Sequence, residues 1–583
     1  MKKNLKKSLA LLCLVAGGVL AAETRAPAPE LVATAEFASF GDVSKKLADL
    51  GALIGNPLAP TLLVGAGQER LVQAYGRFRN DAPFFCLVYR RAAAAVDGVV
   101  VYPCVDGPAK MLLDHPGATK DADGTLRLPA DGRHANARWV AFAADRRVCA
   151  FARTASLARR ALADFAASAP ARAARKGAAR PLVRIDVTEA GLRLYAAQVA
   201  ASRRPAAPLA DFAGATLALD LDARGLAVDG RLAARPGAPA GAGAALPAAA
   251  LDRLPDAPLF AALAARFACD APSAAAFRAD MDACAAEIET NAVRFAAQTN
   301  APAKAHGPLV RELAAAAADL LRTGVPCPAA ADWSGGALVF DARLRPALVS
   351  DGEMEKAGDA VAATTAFYDR VARALARQWP KRAIFAKADA GYVVDWAEAI
   401  DVGAELSGLA DGKEAAEARA AAKRTVAAVL GDTKAALVYA ADGTRVTGRL
   451  AAPGVAAPRG AATGEARVAA ALPETAAARP CAVFYASLYA LAREAALPIL
   501  ARVAPAAEAR MYAEMRKAMP PAAPNSAVAG AAWAERDGSV RGLARITAGE
   551  LKNYGAAFNA FTMAALSSGA GTDDDGDVDG DDE

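Results

Sequence analysis

Apolar residues alternate with polar ones in short runs along this chain, and the runs come in pairs hinged on small or acidic turn residues. Ala215 to Leu221 and Leu226 to Asp229 flank Ala223-Arg224-Gly225, and Ala436 to Ala440 and Thr444 to Thr447 flank Ala441-Asp442-Gly443. Ala137 to Ala143 and Arg147 to Ala152 flank Ala144-Asp145-Arg146, and Ala527 to Glu535 precedes Val540 to Ile546. Period-two alternation beside such turns predicts antiparallel hairpins. Phe84 to Arg90 and Val99 to Cys104 read as two further strands.

Between them the apolar spacing changes to three and four, which predicts helices over Ser44–Ile54, Glu69–Phe78, Ser156–Phe165 and Ala190–Ala201. The second half is more helical: Ser273–Ala297, Pro308–Leu321, Met354–Trp379 and Leu406–Leu430. A helix over Ala482–Ala504 is expected to kink at Pro498, and another covers Gly549–Leu566. Hairpins interleaved with helices, without a regular strand–helix–strand wind, predict an α+β fold that is helix-rich.

Gly230-Arg231-Leu232-Ala233-Ala234-Arg235-Pro236-Gly237 resembles Gly448-Arg449-Leu450-Ala451-Ala452-Pro453-Gly454, and each closes a predicted hairpin. A Pro/Gly/Ala-rich stretch follows each copy. This recurrence predicts duplicated α+β units at 23–255 and 256–478, a partial third at 479–566, and a tail at 567–583. On this reading the two hairpins are equivalent.

Ahead of the first unit, a lysine-rich opening precedes the apolar run Leu9 to Ala22, which ends in small residues. That is the layout of a signal peptide over 1–22, with the mature chain starting at Ala22 or Glu23 and localisation periplasmic or extracellular. The run is short for a membrane span, and no later stretch is long and apolar enough for one.

Alanine exceeds a quarter of the residues, which favours helix but makes each packing contact small. The net charge of +5 conceals eight acidic groups in the last eleven residues. The arginines are scattered rather than banked with aromatics, so a nucleic-acid partner is not expected.

The chain resembles a class of exported bacterial proteins of unknown function built from repeated α+β, hairpin-plus-helix units. The resemblance rests on Ala137 to Phe165, on the hairpin ending at Gly237, and on the restart Leu254-Pro255-Asp256-Ala257-Pro258. It implies an architecture and a compartment, and no catalytic residues.

Candidate chemistry is sparse. Gly65-Ala66-Gly67-Gln68-Glu69-Arg70 lacks the third glycine of a dinucleotide loop and reads as a tight turn. Neither a nucleophile elbow nor a HExxH zinc pattern occurs, so no catalytic residues and no cofactor are expected. Asp270, Asp280, Asp282, Glu287 and Glu289, on or beside one helix, read as its solvated face, and the five tryptophans as core or interface anchors.

Asp575, Asp577 and Asp579, with Gly580, match the opening of a calcium loop, but its closing glutamate would fall beyond Glu583. If Phe84–Arg90 and Val99–Cys104 form one hairpin, Cys86 and Cys104 lie nearly opposite and make a disulfide candidate. The sequence thus points to an exported non-catalytic binding or structural component. The alternatives are a secreted hydrolase and a carrier of an apolar, lipid-like ligand. A binding protein should carry an apolar groove between sheet and helices.

Overall fold

The computed structural model describes residues 29–569 apart from internal stretches, of which the longest are 66–77, 106–116 and 170–179. The chain divides into two compact units, Met1–Gly241 with Ala534–Arg545, and Ala242–Trp533 with Ile546–Glu583.

In unit 1 the chain runs β1 (Glu30–Phe37), α1 (Phe40–Leu53), β2 (Phe84–Arg90), β3 (Val96–Pro103), β4 (Thr119–Lys120), β5 (Leu126–Arg127), β6 (Trp139–Phe142) and β7 (Val148–Ala152). It continues through α2 (Ala155–Ala167), β8 (Val183–Thr188), α3 (Glu189–Ala201), β9 (Phe212–Asp222) and β10 (Gly225–Ala234). Antiparallel pairing orders the strands β4-β5-β6-β7-β3-β2-β1-β8-β9-β10.

Strand alternation gives this sheet two buried faces. On one, Phe85, Leu87, Tyr89, Val99 and Val101 meet Leu157, Ala158 and Ala161, the apolar stripe of α2. On the other, Phe78, Tyr102, Leu126, Val140 and Phe151 pack together. Thr154 starts α2 by accepting the Leu157 N–H at 3.3 Å, one of the four amides a helix start leaves without a partner. The β9–β10 turn closes at Gly225, whose φ of +130° disfavours a side chain. Beyond it, Asp229 pairs with Arg541 at 2.8 Å, and Arg231 bridges Glu535 and Asp537.

Unit 2 opens with β11 (Ala261–Arg266), α4 (Ala271–Ala296), α5 (Ala301–Asp319), β12 (Trp333–Phe340), β13 (Pro346–Glu353), α6 (Ala357–Gln378), β14 (Phe385–Ala388) and β15 (Gly391–Asp395). Next come α7 (Trp396–Ser407), α8 (Lys413–Leu430), β16 (Lys434–Asp442), β17 (Arg445–Ala451), α9 (Gly464–Ala471), α10 (Glu474–Ala477) and β18 (Ala482–Ala486). The last elements of unit 2 are α11 (Leu488–Leu491), α12 (Leu497–Val503), α13 (Ala506–Ala518), β19 (Val528–Ala534) and α14 (Ala548–Gly569), while most of β20 (Val540–Thr547) belongs to unit 1. Pairing orders the strands of unit 2 β14-β15-β16-β17-β13-β12-β11-β18-β19.

The expectation of duplicated, helix-rich α+β units is overturned. Within each unit the described strands pair antiparallel into a large sheet, so the architecture is sheet-dominated and helices dress it. Nor are the hairpins ending at Gly237 and Gly454 equivalent. β9–β10 is reached through β8, whereas β16–β17 joins through β13, a place held in unit 1 by β6–β7 joining through β3. Similar alanine-rich words produced the match, not a shared position.

Three helical expectations also changed. Ala482–Ala486 is the strand β18, because a short apolar run paired on both sides, with β11 and β19, extends instead of coiling. The helix expected over Leu406–Leu430 breaks at Gly412, whose φ is +124°. Pro498 sits inside a continuous helical run from Leu488 to Val503, and in place of a simple kink the chain takes a π-helical turn over Ala492–Ala496 just before the proline.

Candidate functional site

β18 leaves one side of its strand facing two short helices. Val483 is buried there, and Val468 and Ala469 of α9, Thr475 and Ala476 of α10, and Leu246, Pro247 and Ala250 close around it. Together with Arg479 and Pro480 they line a pocket of about 130 Å³. An apolar cavity of roughly 150 Å³ stays dry and accepts a benzene-sized molecule.

Backbone bonds hold the walls. Leu246 N–H donates to the Pro480 carbonyl at 2.8 Å, fixing the 246–250 wall against the residues before β18. The Thr475 hydroxyl donates to the Leu472 carbonyl at 2.8 Å, and Leu472 itself is fully buried beneath α10. Trp533 Nε1 donates to the Ala478 carbonyl at 2.8 Å, anchoring the turn that carries Arg479. Arg479 is exposed and is the one charged side chain of the lining. The chemistry is that of an apolar slot with a cation at its edge and no carboxylate.

A second cluster is fully enclosed. Thr547 caps α14 and accepts the Glu550 N–H at 3.3 Å. The spacing Thr547 to Glu550 is that of a capping box, yet the buried Glu550 carboxylate turns elsewhere. It accepts the Tyr489 N–H at 2.8 Å and the Ser526 hydroxyl, while Asn553 Nδ2 donates to Ser526 Oγ at 2.7 Å. Burial raises the Tyr554 phenol above its ordinary range and the nearby Glu550 charge adds to that. With every arm of Glu550 engaged and no exposure, this network orders the core.

A third polar group lies among the helices. Trp379 Nε1 donates to Glu405 at 2.9 Å, Arg382 pairs with the same carboxylate at 2.6 Å, and His306 stacks on Trp379 with ring centroids 5.5 Å apart. It is an ion pair and a stack, with no nucleophile.

The predicted site residues fare differently. Cys86 stands opposite Val100 in the β2–β3 ladder, and Cys104 bridges Phe78 instead, so the structure forms no Cys86–Cys104 disulfide. The strands do make one hairpin, but β3 starts at Val96, and that register carries Cys104 past the end of β2. Asp575, Asp577 and Asp579, the signal segment 1–22 and the restart at 254–258 lie outside the described residues, as does the loop at 66–70. Among the described residues no group of three acidic, histidine or cysteine side chains is placed to hold a metal.

Asp280, Asp282 and Glu287 are exposed on α4, and Glu289 pairs with Arg322, whose hydrogen bonds lower its pKa. Sequence reasoning missed the pocket entirely. Its walls are ordinary alanines, valines and prolines, and only their meeting in space distinguishes them. No helix among the described residues is long and apolar enough to cross a membrane. No family model, curated protein or solved structure matches this chain.

Proposed function

We propose that this is an exported, non-catalytic binding protein that holds a short aliphatic carboxylate in the pocket beside β18. The reading is carried by one observation, the apolar slot between β18 and α9–α10 with Arg479 alone supplying charge. An aliphatic chain of about six heavy atoms fits the volume, and its burial is the driving term. The exposed guanidinium offers a charge-assisted hydrogen bond to the carboxylate end. Export rests on the lysine-rich and apolar opening of the sequence.

Calorimetric titration with butanoate, hexanoate and decanoate tests it. Saturable one-to-one binding that peaks near hexanoate is expected, with the matching primary alcohol weaker. Absence of saturable binding for all three acids would refute the ligand class.

A further inference from the structure

Away from the pocket, unit 1 holds two thiols on one buried surface. β3 and β7 pair with Tyr102 opposite Cys149 and Pro103 opposite Val148. Cys104 follows Tyr102 by two residues, so strand alternation turns it to the face that Tyr102 and Cys149 share. Cys104 and Cys149 are both buried in the cluster that includes Phe78, Tyr102 and Phe151. The β3–β7 ladder ends at Pro103, and Cys104 bridges Phe78 just beyond it. The Cys149 thiol donates to the Tyr102 carbonyl at 3.7 Å, and the Cys104 thiol is near enough to act on its titration.

We propose that Cys104 and Cys149 are a disulfide-forming pair, oxidised by a small-molecule disulfide such as glutathione disulfide. One cysteine thiolate attacks the oxidant's sulfur–sulfur bond, forming a mixed disulfide and releasing one glutathione thiolate. The other cysteine then attacks the mixed disulfide at the protein sulfur and expels the second glutathione. The protein loses two electrons and two thiol protons, and the oxidant leaves as two glutathione thiols. The bond ties β7 to the end of β3 and closes the segment that carries β4, β5 and β6.

Burial pushes the Cys149 thiol well above its ordinary range, and the neighbouring Cys104 adds to this. The folded, reduced protein therefore offers little thiolate, and oxidation belongs to the folding chain.

Reduced, unfolded protein is refolded in a mixture of glutathione and its disulfide, blocked with N-ethylmaleimide, and digested without reductant. The expected product is a Cys104–Cys149 linked peptide in most molecules. It should form at least tenfold faster when the oxidant is present from the start of refolding than when it is added to folded, reduced protein. The oxidised protein should also have a higher urea midpoint than the reduced protein. Recovery of Cys104 and Cys149 as separate maleimide adducts, or of Cys104 linked to Cys86, would overturn the pairing. Because the peptide map reads the unmutated protein, no variant has to fold for the result to count.

Discussion

Unit 1 and unit 2 bury different materials. The core of unit 1 is built from large side chains: Tyr89, Tyr102, Phe151, Leu126 and Leu128 are almost wholly enclosed. Around Tyr102 the aromatics meet edge-on, with Phe78 at 5.1 Å and Phe151 at 6.1 Å between centroids. Unit 2 buries alanine after alanine along its strands, among them Ala264, Ala337, Ala347 and Ala529, and adds Asp332, Asp351, Ser526, Glu550 and Asn553. Alanine removes little area from water, so small cores need other constraints. In unit 2 buried, hydrogen-bonded carboxylates supply some of them: Asp332 accepts the Ala329 and Glu355 N–H groups, and Glu550 the Tyr489 N–H and the Ser526 hydroxyl.

Within unit 2 the contrast sharpens. Under α6, Tyr392 stacks on Phe385 at 5.1 Å and donates to Asp369 at 2.6 Å. Leu348 lies in the same row across Leu437 and Leu450, yet it is 52% exposed. Leu263 at 57% and Phe484 at 39% continue this uncovered apolar face on β11 and β18.

The largest effect should come from the dense side of the comparison. Phe151→Ala leaves a cavity among Tyr102, Val140 and Leu126, and should cost about 3–5 kcal/mol in urea unfolding of unit 1. A loss below about 1 kcal/mol would mean that unit 1 is not held by aromatic packing.

Unit 2 should respond to polarity more than to volume. Glu550→Ala strips the acceptor from the buried Tyr489 N–H and the Ser526 hydroxyl, at about 2–4 kcal/mol. Glu550→Gln keeps a carbonyl for one of them and should recover part of the loss. If alanine and glutamine variants unfold at the same denaturant concentration, the network is not what orders this core.

The smallest effect is a pH dependence confined to unit 2. Burial acts to raise the Asp341 pKa, but the Arg345 N–H and guanidinium and the Arg343 N–H outweigh it and hold the group below its ordinary 3.8. A carboxylate so depressed adds stability above pH 3.8 and loses it as the pH falls through the folded value. Solvent screening keeps the contribution under about 1 kcal/mol. Asp341→Asn should therefore flatten the acid limb of the stability profile slightly, and an unchanged limb would remove Asp341 from the account.

Much of unit 1 was legible because its strands alternate cleanly. Phe84–Arg90 was read as it stands, and the stripe Leu157, Ala158 and Ala161 announced α2. The hairpins at Gly225 and Gly443 were legible because both turns need positive φ, which glycine supplies. In unit 2 the strands β12 and β13 went unread. Their runs contain Gly335, Gly336, Ala337 and Pro346, which carry no alternation signal, and only pairing to β11 and β17 makes them strands. The pocket was illegible for the same reason, since its lining comes from three separated segments of small apolar residues.

The central claim is that the slot beside β18 is a binding site, and a filled slot tests it most directly. Ala469→Leu places three more carbons into a pocket of about 130 Å³ while leaving Arg479 untouched. Hexanoate affinity, measured by calorimetry on the folded variant beside the unmodified chain, should fall at least tenfold. Equal affinity in the two proteins would place hexanoate elsewhere and contradict the account.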